Sequence, residues 1–172
     1  MAKAWQVPAL RAGASFRDAA GRVILTRWRE MMSYRAGTVL GDDIEELHAM
    51  RVSSRRLRAA MDAFEGAFPR RSFRPMLRQV KEITDVLGAA RDLDVAVERL
   101  VALVPAMAED ERPGIEGLIS RYRHDRAAEA PRIAGLFARL DEEHFERALI
   151  AYVRHHTGVK MRHLDPRPPG DR

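Results

Sequence analysis

Residues 47–61 read LHAMRVSSRRLRAAM, a stretch that predicts a strongly charged amphipathic helix. It contains one histidine and four arginines and no carboxylate. At 100° per residue, a cationic stripe falls within an arc of about 80°: His48, Arg51, Arg55 and Arg58. The neighbouring arc is apolar: Leu47, Met50, Leu57, Met61 and Phe64. We therefore predict that one face of this helix packs and the next is cationic, whereas Arg56 points elsewhere, towards another helix.

Apolar residues recur with a helical period from Phe16 almost to His156, and no alternating β-branched runs appear. This pattern is typical of an all-α protein, and we expect an antiparallel bundle of about six helices. Glycine, proline and capping signals place the helices near residues 15–36, 42–66, 72–87, 92–105, 115–140 and 141–156. Pro131 is expected to kink or break the fifth of them.

A second cationic stripe, within an arc of about 60°, is predicted on the third helix. Its members are Arg74, Arg78 and Lys81. Two antiparallel helices joined by a short loop would bring the two stripes together, with Arg91 at their edge. Gly88 is expected to end the third helix, and Asp92 or Asp94 to cap the fourth. These aspartates are also expected to form an ion pair with an arginine such as Arg56 or Arg91.

The positive charge is concentrated, although the formal net charge of the 172 residues is only +5. Residues 51–81 carry nine basic side chains against Asp62 and Glu65, a local charge of +7. All but Lys3, Lys81 and Lys160 of the 30 basic residues are arginine, which suits bidentate binding of phosphate oxygens. We define the basic strip as the predicted anion-binding residues His48, Arg51, Arg55, Arg58, Arg74, Arg78, Lys81 and Arg91.

Composition indicates one domain over residues 1–156, followed by a basic, proline-rich tail at 157–172 that is expected to be disordered. The chain has no run of eighteen apolar residues and no secretory leader, so a soluble cytoplasmic protein is expected. The absence of cysteine excludes thiolate catalysis and cysteine-ligated zinc. No phosphate-binding loop, activated serine or paired catalytic carboxylates occur, so we predict no enzyme activity, cofactor or metal site.

Several ligands remain compatible with the basic strip. An unpaired stripe of like charge repels itself, which favours a binding surface for a polyanion over a merely solvated face. Nucleic acid is the nearest competitor, but only 6% of the residues are aromatic and none lies between Arg51 and Arg58 to stack on bases. Less favoured are a histidine phosphotransfer domain that uses His48, and a scaffold that docks an acidic protein surface.

Two segments of the sequence carry a family resemblance. HAMRVSSRRLRAAMDAF at 48–64 and LRQVKEITDVLGAARDLDVAVERL at 77–100 resemble the CHAD family, the conserved histidine α-helical domain. The match is specific over residues 42–100, beginning with Asp42, and looser in the flanking helices. The resemblance implies a helical domain that binds inorganic polyphosphate through a basic surface and has no catalytic activity. The residues that carry this implied role are His48, Arg51, Arg55, Arg58, Lys81 and Arg91; Arg74 and Arg78 are added from helix geometry.

The resemblance also implies how the protein is organised and where it acts. Typical members have two related helical halves, and no second histidine-arginine-lysine helix follows Leu100 in this sequence. The chain therefore resembles the first half. Either it binds weakly as a half-site, or two copies associate as a homodimer that restores the pair, which is the alternative we favour. Some relatives localise to polyphosphate granules, which suggests the same site here.

Overall fold

The computed structural model describes residues 3–41 and 44–159. These residues form six α-helices and two short 3₁₀ turns, with no strand among them. The helices are α1 (Phe16–Met32), α2 (Arg35–Leu40), α3 (Ile44–Ala63), α4 (Arg70–Leu103), α5 (Arg112–Glu142) and α6 (Phe145–Thr157). The predicted all-α class and helical bundle are confirmed.

The predicted first helix, residues 15–36, is divided into α1 and α2. Ser15 caps α1 by accepting a hydrogen bond from the backbone N–H of Asp18 at 3.1 Å. At the other end, the Ser33 hydroxyl donates to the carbonyl of Glu30 at 2.8 Å, a local bond that competes with the helix ladder. The predicted cap of the next helix at Asp42 and Asp43 lies outside the described residues.

The predicted division of residues 72–105 into two helices is wrong. α4 is a single helix from Arg70 to Leu103, and Gly88 lies in its middle. Val80, Ile83, Leu87 and Ala90 are fully buried on both sides of this glycine. A glycine costs a helix about 1 kcal/mol relative to alanine, whereas burying each large apolar side chain contributes about 1.5–3 kcal/mol. Packing therefore outweighs the local helix-ending signal.

α5 also continues through a residue that was expected to interrupt it. Pro131 lies inside the helix, which runs unbroken from Arg112 to Glu142, so the alternative of a break there is wrong. Proline has no backbone N–H, so the carbonyl of Ala127, four residues earlier, loses its helical hydrogen bond. Both residues are exposed, so water can bind that carbonyl. The reversal into α6 occurs instead at His144, which has a left-handed backbone with φ of 53°.

α3 lies between α1 and α4, α5 packs along another face of α4, and α6 packs against α1 and α5. The largest buried side chains include Trp28, Phe73 and Phe137. Trp28 of α1 meets Phe145 of α6 edge-on, with ring centroids 5.6 Å apart. One continuous core therefore joins α1, α3, α4, α5 and α6. None of the described helices is long and apolar enough to cross a bilayer.

The end of α6 is packed closely against α1. A Cβ atom on Gly21 would lie 2.7 Å from Cγ2 of Val159 and against the hydroxyl of Thr157, so only glycine fits there. Val159 is 3% exposed. The start of the predicted disordered tail, Thr157 to Val159, is therefore part of the fold. Residues 160–172 lie outside the described residues, so disorder beyond Val159 stays a prediction.

Candidate anion-binding surface

The two cationic stripes lie side by side on antiparallel helices. Arg51 Nη2 of α3 lies 3.2 Å from Asp92 Oδ1 of α4, and Arg58 Nη1 lies 4.0 Å from Asp85 Oδ1. Seven residues forward along α3 thus correspond to seven residues backward along α4. This register brings both stripes onto one open surface. A Cβ atom added to Gly88 of α4 would lie 3.9 Å from Nε of Arg51.

Carboxylates lie within this surface, contrary to the expectation of an unpaired positive stripe. Besides Asp85 and Asp92, Asp62 lies 3.9 Å from Nε of Arg58. All three carboxylate side chains are more than half exposed, at 56% for Asp62, 61% for Asp85 and 74% for Asp92. Solvated ion pairs of this kind contribute about 0–1 kcal/mol each. The basic strip is therefore partly neutralised, but by partners that a stronger anion can displace.

Three members of the basic strip keep their charge uncompensated. Arg55, Arg78 and Lys81 are exposed, and none makes an ion pair with a carboxylate in the described part of the chain. Arg74 lies near them, but its Nε is 3.5 Å from Oε1 of Glu65, an oxygen that Arg70 also approaches to 3.2 Å. The free charge is thus concentrated where the second half of α3 faces the first half of α4.

His48 and Arg91 are less accessible than the sequence suggested. His48 is half-buried, and its Nδ1 atom is enclosed without a hydrogen-bond partner. The Arg91 side chain is 13% exposed and its Nη1 lies 2.8 Å from Oε1 of Glu98. On an ideal helix Arg91 points about 80° away from Lys81. Arg91 therefore lies beside the exposed surface and already has a carboxylate partner.

Arg56 pairs with another helix, as predicted from its position on α3. Its Nη1 lies 2.8 Å from Oε1 of Glu30 in α1, and Arg27 binds the other oxygen of that carboxylate. The Glu30 side chain is fully buried. Burial, followed by the negative charge of Glu30, raises the pKa of the nearby Tyr34 phenol. Arg56 therefore stabilises the α1–α3 contact and does not belong to the basic strip.

Asp92 and Asp94 do not cap a helix, because α4 continues through both. Each aspartate does form the predicted ion pair with an arginine, but Asp92 binds Arg51 and Asp94 binds Arg126 of α5 at 2.7 Å, in place of the suggested Arg56 or Arg91. Asp94 is 7% exposed and holds α4 to α5. The partners differ from those suggested because they depend on how α3, α4 and α5 pack against one another.

Asp85 is the contributor to this surface that sequence reasoning missed. On an ideal helix it lies about 40° from Lys81, within the same stripe, so its spacing contained the signal. No group of histidine, aspartate and glutamate side chains in the described residues is arranged to hold a metal ion. The chemistry of the surface is that of exposed guanidinium and ammonium groups, which can bind an extended anion.

Comparison with known protein families identifies the family of the chain. The family model for the CHAD domain matches residues 22–169, from α1 past the end of α6. The chain belongs to the CHAD family. The match includes flanking helices in which the resemblance of individual residues was loose. CHAD domains are known as a family that binds polyphosphate and triphosphate. A search of curated proteins gave no significant match.

Proposed function

We propose that this CHAD protein binds inorganic polyphosphate along the basic strip and does not catalyse a reaction on it. The observation that carries the proposal is a group of exposed cations on two adjacent helices that have no carboxylate partner among the described residues: Arg55, Arg78 and Lys81. A phosphate chain presents closely spaced anionic oxygens, and guanidinium groups bind such oxygens bidentately. An open surface lets a long chain lie across it without threading.

The carboxylates beside the strip determine how readily the remaining arginines can bind. Arg51 and Arg58 are held by exposed Asp92 and Asp85, and such surface pairs are weak. Phosphate oxygens can therefore replace these carboxylates around both arginines. Arg51 and Arg58 then join the free cations as secondary contacts, whereas Arg91 retains its pair with Glu98.

Polyphosphate is favoured over nucleic acid because neither of the two helices that form the strip presents an exposed aromatic ring in the described structure. α3 contains no aromatic residue, and the one aromatic residue of α4, Phe73, is fully buried. Single-stranded nucleic acid is generally bound by stacking bases on exposed aromatic rings. The two helices therefore offer charged contacts for phosphate groups and no ring on which a base could stack.

A titration of the full chain with long-chain polyphosphate, at low and high salt, tests the proposal. Arg78→Ala and Lys81→Ala should each weaken binding several-fold, because each removes a phosphate contact. Each should also reduce the slope of log affinity against log salt concentration by about one. The matched control is Arg121→Ala on α5, an exposed arginine away from the strip. Double-stranded DNA at equal phosphate concentration serves as the competitor. Unchanged affinity in both strip variants, or equal displacement by DNA, would contradict a dedicated polyphosphate site.

We further propose that the protein acts in the cytoplasm, at polyphosphate granules, and that two copies associate. Two associated copies should bind one polyphosphate chain more tightly than a single copy, because the second strip meets that polyphosphate at high effective concentration.

The location is tested in cells. Colocalisation of the tagged protein with stained granules, lost in an Arg78→Ala, Lys81→Ala double variant, would support the location. A diffuse wild-type distribution in cells that contain granules would oppose it.

A further inference from the structure

The ends of α4 and α5 extend past α3 and form a groove of their own. The register that pairs Arg51 with Asp92 places the first residue of α3, Ile44, opposite Arg99, so α4 continues for a further turn. A groove of about 550 Å³ lies between this end of α4 and the start of α5. Its lining includes Val101, Val104, Glu116, Ile119, Ser120 and Arg123.

The first part of α5 lacks a second neighbour in the described fold. Across residues 112–123, Ile119 is the one buried residue, with 6% exposure. On the α4 side of the groove, Val101 is 43% exposed. The C-terminal part of α5, in contrast, contacts α4 through Arg139 and Glu82 and contacts α2 through Asp141 and Arg35. The groove is therefore a surface of mixed apolar and charged character that intramolecular packing leaves open.

This groove points away from the basic strip. On an ideal helix Val101 lies about 160° from Lys81 around the axis of α4. The ion pair between Asp94 and Arg126 places α5 on this side of α4, whereas Asp92 and Asp85 face α3. An occupant of the groove would therefore leave the basic strip uncovered.

The charges on the groove are complementary to themselves under a two-fold rotation. Glu116 and Arg123 are exposed, seven residues apart on one face of α5, and neither makes an ion pair with a described residue. If two α5 helices cross antiparallel with the centre between Ile119 and Ser120, Glu116 meets the partner's Arg123, and Arg123 meets the partner's Glu116. Closed two-fold interfaces require this reciprocal pairing.

We propose that the groove between α4 and α5 binds a second copy of this chain, with the exposed Val101 in its apolar part and two reciprocal Glu116–Arg123 pairs at the edges. This inference rests on the self-association in the proposed function and assigns it a surface. The two basic strips then lie on the outer sides of the dimer. A long polyphosphate chain can contact both strips, or link one dimer to the next.

Charge reversal across the two-fold axis tests this surface. The mass of the full chain is measured by sedimentation between about 1 and 100 μM, without polyphosphate. The wild type should dimerise, and Glu116→Arg and Arg123→Glu should each weaken the dimer about tenfold or more, because each places like charges opposite one another. The double variant Glu116→Arg, Arg123→Glu restores both pairs and should dimerise again. Arg121→Glu, on another face of α5, is the matched control and should dimerise like the wild type.

The possible failures separate the surface from the rest of the proposed function. A wild-type dimer that neither single variant weakens, or a folded double variant that stays monomeric, would overturn this surface and leave self-association standing. A wild type that is monomeric at every concentration would overturn both. Polyphosphate titration of the single variants reports the basic strip separately, since Glu116 and Arg123 lie outside it, and the intrinsic affinity for a short chain should stay unchanged.

Discussion

Replacing Arg56 by methionine should destabilise the fold without weakening anion binding. Arg56 donates to the carboxylate of Glu30 at 2.8 Å, and the Glu30 side chain is fully buried. A hydrogen bond between charged groups contributes about 1.5–3 kcal/mol, and loss of one partner of a buried pair costs about 3–5 kcal/mol when the other charge is left alone. Glu30 keeps its contact with Arg27, and Arg56 is 26% exposed. We therefore expect a loss of about 2–3 kcal/mol in the free energy of unfolding.

The neighbouring residue provides the matched control. Arg55 is exposed on the same helix and has no ion pair with a described carboxylate, so Arg55→Ala should change stability by less than about 0.5 kcal/mol. The effects on polyphosphate affinity should be the opposite: Arg55→Ala should lower the affinity and Arg56→Met should leave it unchanged, because Arg55 belongs to the basic strip and Arg56 does not. Urea unfolding is followed by circular dichroism, and both variants should show the same dependence of the unfolding free energy on urea concentration, so that their stabilities can be compared. Polyphosphate titration of the same samples gives the affinities.

A second change distinguishes the lost pair from lost packing. The double variant Glu30→Leu, Arg56→Met has no buried carboxylate that has lost a partner. Its free energy of unfolding should therefore be higher than that of Arg56→Met alone. The reasoning would be refuted if Arg56→Met cost less than about 0.5 kcal/mol, or if Arg55→Ala cost as much. It would equally be refuted if Arg56→Met, still folded, lost polyphosphate affinity as Arg55→Ala does.

Three further outcomes are expected. Asp92→Asn should raise polyphosphate affinity about two- to fivefold in a titration, because it frees Arg51 from a weak surface pair; lower affinity would show that Asp92 orients Arg51 productively. Gly21→Ala should cost about 1–3 kcal/mol in urea unfolding, because its Cβ would clash with Val159, whereas Gly117→Ala, with open space around its Cβ, should be neutral or stabilising. The hydrogen bond from Arg35 lowers the pKa of Asp141 from its ordinary value of 3.8, so the stability from this pair is present above that value and is lost as pH falls through the lower folded-state pKa. Asp141→Asn should thus be less stable than the wild type at neutral pH, by less than about 1 kcal/mol since the side chain is exposed, and the difference should shrink in strong acid; a constant difference would contradict the assignment.

Which segments are helical, and which residues share a charged face, could be predicted from the sequence. Helical periodicity is a property of neighbouring residues, so the stripe from His48 to Arg58 and that from Arg74 to Lys81 follow from spacing alone. The direction of Arg56 towards another helix follows from the same spacing. Local signals were less reliable for helix ends, as Gly88 and Pro131 show. Burial along α4 outweighs the cost of Gly88, and the carbonyl that Pro131 leaves without a helical partner belongs to an exposed residue.

By itself, therefore, the sequence determined an all-α chain of the CHAD family with two cationic helix faces. Only the tertiary structure decided which charges remain free on those faces. Asp85 and Asp92 partly neutralise Arg58 and Arg51, Arg56 turns to Glu30, and Arg55, Arg78 and Lys81 are left for a ligand. The physical reason is that ion pairs form between atoms a few ångströms apart. In a helical bundle such neighbours come from helices distant in sequence, so their pairing depends on how the helices pack.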